Sequence, residues 1–280
     1  MVSNPKILLE SYDLFPKKSL GQNFMHDPQA LDKIVDSADL TAADAVVEVG
    51  AGTGSLTAKL AERCHEVFAI EVDQRLQPVL EDRFDEVSNV YLVFDDVLKT
   101  DINTLLGNQE YIVVANVPYY ISSAILWHFL EADLPPRRMV LTMQYEVAER
   151  IVSGEGMMNL LAVALQYYGV PKIVGKLSPA VFWPRPNIHS AIVRIETHKS
   201  APVAVPSTEA FFRVVRAGFS MKRKQLKNAL SGGLGIRSAR TSELLRAAGI
   251  DPQRRAETLT LSEWAGLTRT IHQSGDVLFL

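Results

Sequence analysis

Short apolar runs alternate with amphipathic segments along the first two thirds of the chain. Runs typical of buried strands cover residues 45–49, 67–70, 90–94, 111–115 and 139–143. Apolar residues recur at helical spacing in residues 31–38, 56–63, 74–84, 121–130, 146–152 and 159–165. A chain that alternates strands with helices forms a parallel sheet covered by helices on both faces, so we predict a doubly wound α/β fold.

The last two strand patterns, residues 167–174 and 190–196, are joined by a proline-rich loop without a helical pattern. Parallel neighbours need a long crossover, usually a helix, so we expect one of these strands to run antiparallel to the rest. Residues 1–26 show no regular pattern and are predicted to be irregular. Asp27-Pro28 is typical of a helix start, with the aspartate as cap and the proline in the first turn.

A polar, proline-punctuated segment at residues 198–206 is a plausible linker to a different kind of sequence. Only helical patterns follow it, at residues 209–218, 222–230, 241–248 and 262–272. Gly232, Gly233 and Gly235 are predicted to end the second of these helices. We therefore predict two domains, an α/β domain over residues 1–200 and a small all-helical domain over residues 201–280.

The composition favours a soluble cytoplasmic protein. Hydrophobic residues make up 47% of the chain, enough for a large core, and no apolar run reaches the roughly 18 residues of a membrane span. The first residues lack the layout of a signal peptide. The single cysteine, Cys64, excludes an internal disulfide framework and a multi-cysteine metal site. We expect no bound metal and no membrane partner.

Charge is distributed unevenly along the chain. Residues 201–280 contain 12 Lys and Arg against 6 Asp and Glu, a net charge of +6, whereas residues 1–200 contain 17 against 26, a net charge of −9. A basic end on an acidic body indicates an anionic partner such as nucleic acid. The cations of the predicted helices, interleaved with apolar residues that should face a core, are Arg213, Arg216, Lys222, Arg223, Lys224 and Lys227. Further cations that would extend this surface are Lys17, Lys18, Arg137, Arg138 and Arg185.

A glycine-rich turn follows the first strand in the sequence VVEVGAGTG. Gly50 and Gly52 let a ligand approach the backbone closely, as in many nucleotide-binding enzymes. Glu71, at the end of the second strand, stands where an acid binds ribose hydroxyls. These features fit nicotinamide and flavin enzymes as well as other users of adenosine cofactors. Asp96, which ends the third strand, can accept a hydrogen bond from an adenine amino group, and Asp95 is an alternative for this role.

The segment Asn116-Val117-Pro118-Tyr119 follows the fourth strand and favours one chemistry. Pro118 stiffens the turn, so the Asn116 amide oxygen and the Val117 carbonyl can accept both N–H bonds of one amine. Tyr119 can stack on the ring that carries this amine, and Phe182 can supply the opposite face, with Trp183 as the alternative. A dehydrogenase has no evident use for this set, whereas a methyltransferase acting on the adenine amino group does.

At these residues the chain resembles the ribosomal RNA adenine dimethyltransferases of the small ribosomal subunit, which are related to the erythromycin-resistance methyltransferases. The matching segments span nearly the whole chain in order: KKSLGQNFMHDP, VVEVGAGTGSLT, the acid in IEVD, FDDVL, NVPYYIS, QYEVAERI, FWPRPNIHSAIVRI and FSMKRKQLKNAL. The resemblance implies a Rossmann-like methyltransferase sheet, mostly parallel with one antiparallel strand. It also implies dimethylation, from S-adenosylmethionine, of two adjacent adenosines near the 3′ end of small-subunit rRNA during ribosome biogenesis.

The resemblance also assigns residues. The cofactor contacts would be Asn23, Met25, Gly50, Glu71, Asp96 and Asn116, with Gly52 of the glycine turn beside them. The target-base pocket would be formed by Asn116, Val117, Pro118, Tyr119 and Phe182. From the charge pattern, rather than from the resemblance, we expect RNA contacts at Lys17, Lys18, Arg185, Arg223 and Lys227. The partner would be rRNA or an immature small subunit, and the protein a monomer.

Two departures from the family pattern stand out. Tyr145 replaces the lysine usual at that place, and residues 157–161 stray from a glycine-rich pattern, which bears on RNA contacts there. Four other hypotheses stay open from the sequence. They are a resistance-type enzyme acting on large-subunit rRNA, a DNA adenine methyltransferase, a ribosome-assembly factor without catalysis, and a nicotinamide oxidoreductase.

Overall fold

A computed structural model of the chain describes residues 4–221 and 223–277. The strands found in them are β1 (Phe24–Met25), β2 (Ala45–Val49), β3 (Glu66–Ile70), β4 (Val90–Val93), β5 (Tyr111–Ala115), β6 (Arg138–Gln144), β7 (Gly169–Leu177), β8 (Phe182–Trp183) and β9 (Ser190–Thr197). The helices are α1 (Pro5–Ser11), α2 (Pro28–Ala38), α3 (Ser55–Ala61), α4 (Gln77–Phe84), α5 (Ile102–Leu106), α6 (Ser122–Leu130), α7 (Tyr145–Ile151), α8 (Leu160–Tyr168), α9 (Thr208–Phe219), α10 (Leu226–Leu234), α11 (Ser238–Ala247) and α12 (Leu261–Ser274).

The chain divides into two compact units. The first contains the described part of Met1–Ala148 together with Pro171–Thr197, and the second contains Glu149–Val170 together with the described part of His198–Leu280. The division differs from the predicted domains in one segment, because residues 149–170 group with the C-terminal helices. Their helix α8 packs against α9 and α12, which explains the grouping.

The first unit is built on a twisted sheet with the strand order β4-β3-β2-β5-β6-β9-β7. Strands β2 to β6 pair in parallel, whereas β9 runs antiparallel to β6, as the short connection before it led us to expect. All residues of β2 and β5 are buried, consistent with a sheet covered on both faces. The chain order reverses between β2 and β5, and such a reversal opens a crevice at the carboxyl ends of the strands.

Helix α2 shows how local sequence sets the fold. The Asp27 side chain accepts a hydrogen bond from the backbone N–H of Ala30 at 2.8 Å, and Pro28 occupies the first turn, as predicted. Its buried face consists of Ala30, Leu31, Ile34, Val35 and Ala38. This face packs against α3 and against strands β5, β6 and β9 of the sheet.

Several sequence predictions were wrong, each for an identifiable reason. Residues 1–26 are not irregular throughout, because Asn4 caps α1 with its side chain and Phe24–Met25 form β1. Helix α5 has five residues, too few for a periodic pattern. Tyr167 continues α8 instead of starting a strand. Strand β8 pairs with β1, and two residues in each strand leave no alternation to detect.

The core of the second unit is aromatic. The ring of Tyr167 stacks on Phe211 with centroids 4.8 Å apart, and Phe212 and Trp264 are also buried. The prediction that the apolar residues of this stretch face a core is confirmed for Phe211, Phe212, Val215, Leu226 and Leu230, which are buried, whereas Phe219 is only half-buried. Arg213 and Arg216 are exposed on the opposite face of α9. Lys222 lies outside the described residues.

Helix α10 passes through Gly232 and Gly233 instead of ending there. The glycine at position 233 allows α10 to lie close to α9. Helix α10 ends at Gly235, in the left-handed conformation. A Cβ on Gly233 would lie 2.8 Å from the Cα of Ala217. A Cβ on Gly232 would meet only the terminal methyl of Met221, at 3.4 Å.

These two glycines give a matched pair of stability predictions. Gly233→Ala forces backbone apart and should lower the unfolding free energy by about 1–3 kcal/mol. Gly232→Ala adds a good helix former without a clash and should leave the protein unchanged or stabilise it by up to about 1 kcal/mol. Thermal and urea unfolding followed by circular dichroism measures both, and equal effects of the two variants would contradict this account of the packing.

Candidate active site

A cavity of about 340 Å³ lies at the carboxyl ends of β2, β3, β4 and β5. Its lining includes every residue predicted for the cofactor and the target base: Asn23, Met25, Gly50, Gly52, Glu71, Asp96, Asn116, Val117, Pro118, Tyr119 and Phe182. The fold thus brings together residues from six separate segments of the sequence. Their individual roles stay predictions, whereas their common location is a property of the structure.

The glycine-rich turn between β2 and α3 is held close to β3. The backbone N–H of Gly50 donates to the carbonyl of Ile70 at 2.8 Å, and that of Gly52 donates to Oε2 of Glu71 at 2.8 Å. Gly52 has φ +57°, and a Cβ there would lie 3.1 Å from the ring of Phe24. Only glycine fits this conformation and space without strain, so the backbone itself forms this wall of the cavity.

Glu71 shapes this turn as well as facing the cavity. Its Oε1 accepts a hydrogen bond from the backbone N–H of Asp73 at 2.8 Å, so each carboxylate oxygen has one backbone donor. Burial raises the pKa of Glu71, while these backbone bonds oppose the rise. Each oxygen keeps a free acceptor site, which is what two vicinal ribose hydroxyls require.

Asp95 and Asp96 both line the cavity after β4, so the structure leaves both candidates in place. Asp95 Oδ1 accepts a hydrogen bond from the backbone N–H of Asp96 at 2.7 Å. Asp96 Oδ1 accepts one from Leu98 at 3.1 Å, and its Oδ2 lies 3.8 Å from the Lys99 ammonium. These contacts fix the two carboxylates at the edge of the crevice.

The Asn116 amide is oriented by two side contacts. Its Oδ1 accepts a hydrogen bond from the Thr142 hydroxyl at 2.6 Å, and its Nδ2 donates to the Asn23 carbonyl at 3.3 Å. The Asn23 carbonyl can only accept, so the nitrogen must face it and the oxygen must face Thr142. An amide oxygen has two lone pairs, and one therefore remains for a ligand in the cavity.

The rest of the turn supplies an acceptor and a ring. No residue in the described ranges donates to the Val117 carbonyl, so this oxygen is available at the cavity. The Tyr119 hydroxyl and the buried Ser190 hydroxyl are hydrogen-bonded at 2.7 Å. Burial raises the pKa of Tyr119, so the phenol stays neutral at physiological pH. The tyrosine ring is thereby held at its far end while the ring itself lines the cavity.

The short β1–β8 pair places the two aromatic residues of the proline-rich loop, Phe182 and Trp183, in different environments. Phe182 is opposite Met25 in this pair, is buried, and lines the cavity. Trp183 instead stacks against Phe24 with centroids 6.5 Å apart. The structure therefore favours Phe182 as the second aromatic of the pocket.

The comparisons with known proteins agree with this geometry. Residues 15–269 match the family model described as ribosomal RNA adenine dimethylase. The chain is 44% identical to the ribosomal RNA small subunit methyltransferase A of Dehalococcoides mccartyi (strain BAV1) over 95% of this chain and 92% of that protein. It is 40% identical to the protein of the same name from Geobacillus thermodenitrificans over 95% and 94%, respectively.

The chain belongs to the ribosomal RNA adenine dimethylase family. It is accordingly an rRNA adenine dimethyltransferase. Solved structures share its fold: a dimethyladenosine transferase from Plasmodium falciparum (TM-score 0.77, 22% identity, 90% of this chain and 98% of that one) and the 23S rRNA methyltransferase ErmE (TM-score 0.71, 24% identity, 90% and 100%). The predicted fold class is confirmed.

The dimethyltransferase cavity also contains residues that the sequence did not single out. Glu48 lines it, is fully buried, and has no hydrogen-bond partner on either carboxylate oxygen among the described residues. Burial raises the pKa of Glu48 to about 8, and the Glu71 carboxylate adds to the rise, whereas Thr57 and Arg83 lower it in part. Thr57 is close enough to act on Glu48, but its hydroxyl does not reach hydrogen-bonding geometry. The sequence feature that could have drawn attention to Glu48 is its position as the only acid in the apolar run VVEV.

Arg83 is a second residue without a sequence signal. Its guanidinium donates to the Thr53 carbonyl at 2.6 Å, and burial lowers its pKa. The neighbouring Phe84 ring packs against Gly54, where a Cβ would lie 2.6 Å from the ring. Helix α4 thus holds the far side of the glycine-rich turn in place.

The cations predicted to contact RNA fall into two groups. Lys17, Lys18, Arg185 and Arg223 are exposed, Lys227 is half-buried, and these five have no acidic partner in residues 4–221 and 223–277. In contrast, Arg137 pairs with Asp44, and Arg138 is buried and pairs with Glu196 at 2.8 Å. Because Arg138 is buried, its assignment to an RNA surface was wrong, whereas Arg137 is partly exposed and its assignment stays a prediction.

At position 145, where the family usually has lysine, the structure provides a positive charge from elsewhere. The Lys176 ammonium lies over the Tyr145 ring, 4.3 Å from its centroid.

Among the described residues no helix is long and apolar enough to cross a bilayer. The same residues contain no cluster of histidine, cysteine or acidic side chains suited to a metal.

Thr142 gives a test of how the amide is oriented. Thr142→Val removes the donor to Asn116 Oδ1 at nearly constant volume, so the amide can rotate and methyl transfer should slow by about tenfold to a hundredfold. Thr142→Ser retains the hydroxyl and should retain most of the rate. Initial rates with rRNA measure the effect, and thermal unfolding verifies that both variants fold. Equal rates for the valine and serine variants would contradict the role of this hydrogen bond.

Proposed function

We propose that this enzyme dimethylates the N6 amines of two adjacent adenosines near the 3′ end of small-subunit rRNA, with S-adenosylmethionine as methyl donor, during ribosome biogenesis in the cytoplasm. The observation that carries the proposal is that the residues expected for the donor and those expected for the target base line one shared cavity. The glycine-rich turn and Glu71 form one part of it, and the Asn116 oxygen and Val117 carbonyl form another. A donor and a target amine can therefore meet in one space.

The donor side of the cavity suits an adenosine cofactor. Gly52, with φ +57°, leaves backbone exposed where a side chain would fill the space, and Glu71 offers two acceptor sites for ribose hydroxyls. Asp96, or alternatively Asp95, lines the same cavity and would accept a hydrogen bond from the adenine amino group. S-adenosylmethionine, when bound there, would supply a methyl group activated by a positively charged sulfur.

The target side explains how an unreactive amine could be activated. The adenine N6 lone pair is delocalised into the ring, which makes the amine a poor nucleophile. If both N–H bonds are accepted by Asn116 Oδ1 and the Val117 carbonyl, the nitrogen becomes more pyramidal and its lone pair is directed out of the ring plane. Tyr119 and Phe182 would stack on the extruded base. The turn thus acts by positioning and by electrostatic stabilisation, and the proton can leave to solvent because the methylated amine is acidic.

The relatives favour the small subunit over the alternatives. Proteins named small subunit methyltransferase A are 38–44% identical over nearly the whole chain, whereas the 23S rRNA enzyme ErmE is 24% identical. Family membership leaves the nicotinamide and DNA-methyltransferase hypotheses without support. The ordered network around Asn116 and Glu71 argues against an assembly factor without catalysis.

The direct test uses immature small subunits and labelled S-adenosylmethionine. We expect four methyl groups per subunit, two on each of two adjacent adenosines, located by mass spectrometry of nuclease fragments. Large subunits should remain unlabelled, and Asn116→Ala should fold but lose transfer. Label in large-subunit rRNA would instead support the resistance-type function, and no label in either would support the assembly factor.

We also propose that RNA is bound by Lys17, Lys18, Arg185, Arg223 and Lys227. In this proposal residues 1–200 bind the cofactor, and residues 201–280 bind RNA together with Lys17, Lys18 and Arg185 of the first domain. The protein acts as a monomer. The exposed cations of the second unit would contact phosphates, and the first unit would extract the target base.

Salt dependence tests the phosphate contacts. Replacing Arg223 and Lys227 with glutamine should weaken RNA binding and reduce the slope of log K against log salt by about 0.7–0.9 per lost contact. Lys199→Gln with Arg246→Gln is the charge-matched control, because both residues are exposed and lie outside the proposed set. Filter binding across a salt series measures both. The same slope in test and control variants would remove Arg223 and Lys227 from the RNA surface.

A further inference from the structure

Glu48 is unlike the other acids of the cavity. It precedes Gly50 by two residues on β2, lines the cavity, and is completely shielded from bulk solvent. Neither of its oxygens has a hydrogen-bond partner in the described part of the chain, and the Thr57 hydroxyl beside it has none either. Buried carboxylates are normally paired or hydrogen-bonded, because an unpartnered buried charge is costly. An exception that faces a ligand cavity indicates a partner supplied by the ligand.

The charge of the cavity specifies what kind of partner. Its described lining contains four carboxylates and no lysine or arginine. Glu71, Asp95 and Asp96 each accept backbone N–H groups, whereas no N–H reaches hydrogen-bonding geometry on Glu48, although Thr57 is close enough to lower its pKa in part. The guanidinium of Arg83, on α4, donates to the Thr53 carbonyl instead of to Glu48. A cation is therefore the ligand group that this wall of the cavity can hold.

We propose that Glu48 recognises the positive charge of the bound methyl donor and releases its own proton to solvent when that donor binds. The inference rests on the proposed use of S-adenosylmethionine, which has one positive charge more than its demethylated product, S-adenosylhomocysteine. Glu48 would then favour binding of the donor and release of the product. No atom other than this proton changes partners in the step.

Burial explains why the proton is present before the donor binds. It raises the pKa of Glu48 to about 8, so the free enzyme holds this carboxyl neutral at pH 6.5. A cation in the cavity replaces the lost solvation and lowers the pKa again. The charged and titratable groups that act on Glu48 or share its cavity are Glu71, Arg83, Cys64, Asp95, Asp96, Tyr119 and Tyr120. Of these groups, Arg83 alone is positive, and it lowers the pKa of Glu48 by less than the Glu71 carboxylate raises it.

Calorimetry of donor binding to the free enzyme tests the proposal without catalysis. Titrations at pH 6.5 in buffers of different ionisation enthalpy count the protons released. We expect about one proton per S-adenosylmethionine for the wild-type enzyme and almost none for Glu48→Gln. Glu48→Gln should also reduce the preference for S-adenosylmethionine over S-adenosylhomocysteine by about tenfold or more. Glu86→Gln, which removes an exposed charge away from the cavity, is the matched control and should behave as wild type.

The outcomes separate this inference from the proposed function. If the wild-type enzyme binds S-adenosylmethionine without releasing a proton, or if Glu48→Gln retains the same proton count and preference, the role of Glu48 is refuted while the function stands. If the wild-type enzyme does not bind S-adenosylmethionine at all, the proposed cofactor fails and this inference fails with it. The amine of S-adenosylmethionine itself titrates near pH 8. Its contribution to the proton count is the same for every variant and therefore cancels when variants are compared.

Stability of the free enzyme provides a second readout. Because the folded state holds the Glu48 proton more tightly than the unfolded state, wild-type stability should fall as pH rises from about 4.5 to about 8. Glu48→Gln keeps the shape and stays neutral, so its melting temperature should exceed that of the wild type at pH 8.5 and approach it at pH 5. A variant no more stable than wild type at pH 8.5 would show that the carboxylate already has a partner, and would overturn the proposal.

Discussion

The parallel pairing of β2 with β3 and β5 is the constraint on which the site depends. In the register of these strands Val49 is opposite both Ile70 and Ala115, so all three strands end at the same level. The glycine-rich turn, Glu71 and Asn116 follow directly and therefore begin side by side. A shift of one residue in either pairing would move every side chain of that strand to the opposite face and would turn Glu48 away from the cavity. The grouping of the site residues at the carboxyl ends of β2, β3 and β5 is therefore a consequence of strand register.

The sequence revealed those parts of the molecule that rest on periodic patterns. The strands of the parallel sheet and the acids or amides at their ends could be read from apolar runs and the residues that follow them. Parallel strands place their ends together, so the grouping of Glu71, Asp96 and Asn116 could be predicted without knowing any distance.

The parts that could not be predicted depend on partners distant in sequence. Arg138 looked like a surface cation because nothing in its neighbourhood shows that Glu196 is opposite it on the antiparallel strand β9. Gly232 and Gly233 looked like the end of a helix, yet α10 continues through both, and the absence of a side chain at Gly233 serves the packing of α10 on α9. The Thr142 contact to Asn116 crosses from one strand to the end of the next. In each case the deciding interaction is a packing contact without a local pattern.

The two-residue ladder between β1 and β8 has a consequence for how the enzyme is made. Asn23 and Met25 lie early in the polypeptide, but β1 is positioned by its pairing with Phe182 and Trp183, which leave the ribosome only after most of the sheet has been synthesised. Such distant contacts form late, because the intervening chain must first be ordered. A nascent or truncated chain would therefore have a glycine-rich turn without a finished base pocket. The catalyst that modifies ribosomes would stay inactive at least until about two thirds of its own chain, through β8, has been synthesised.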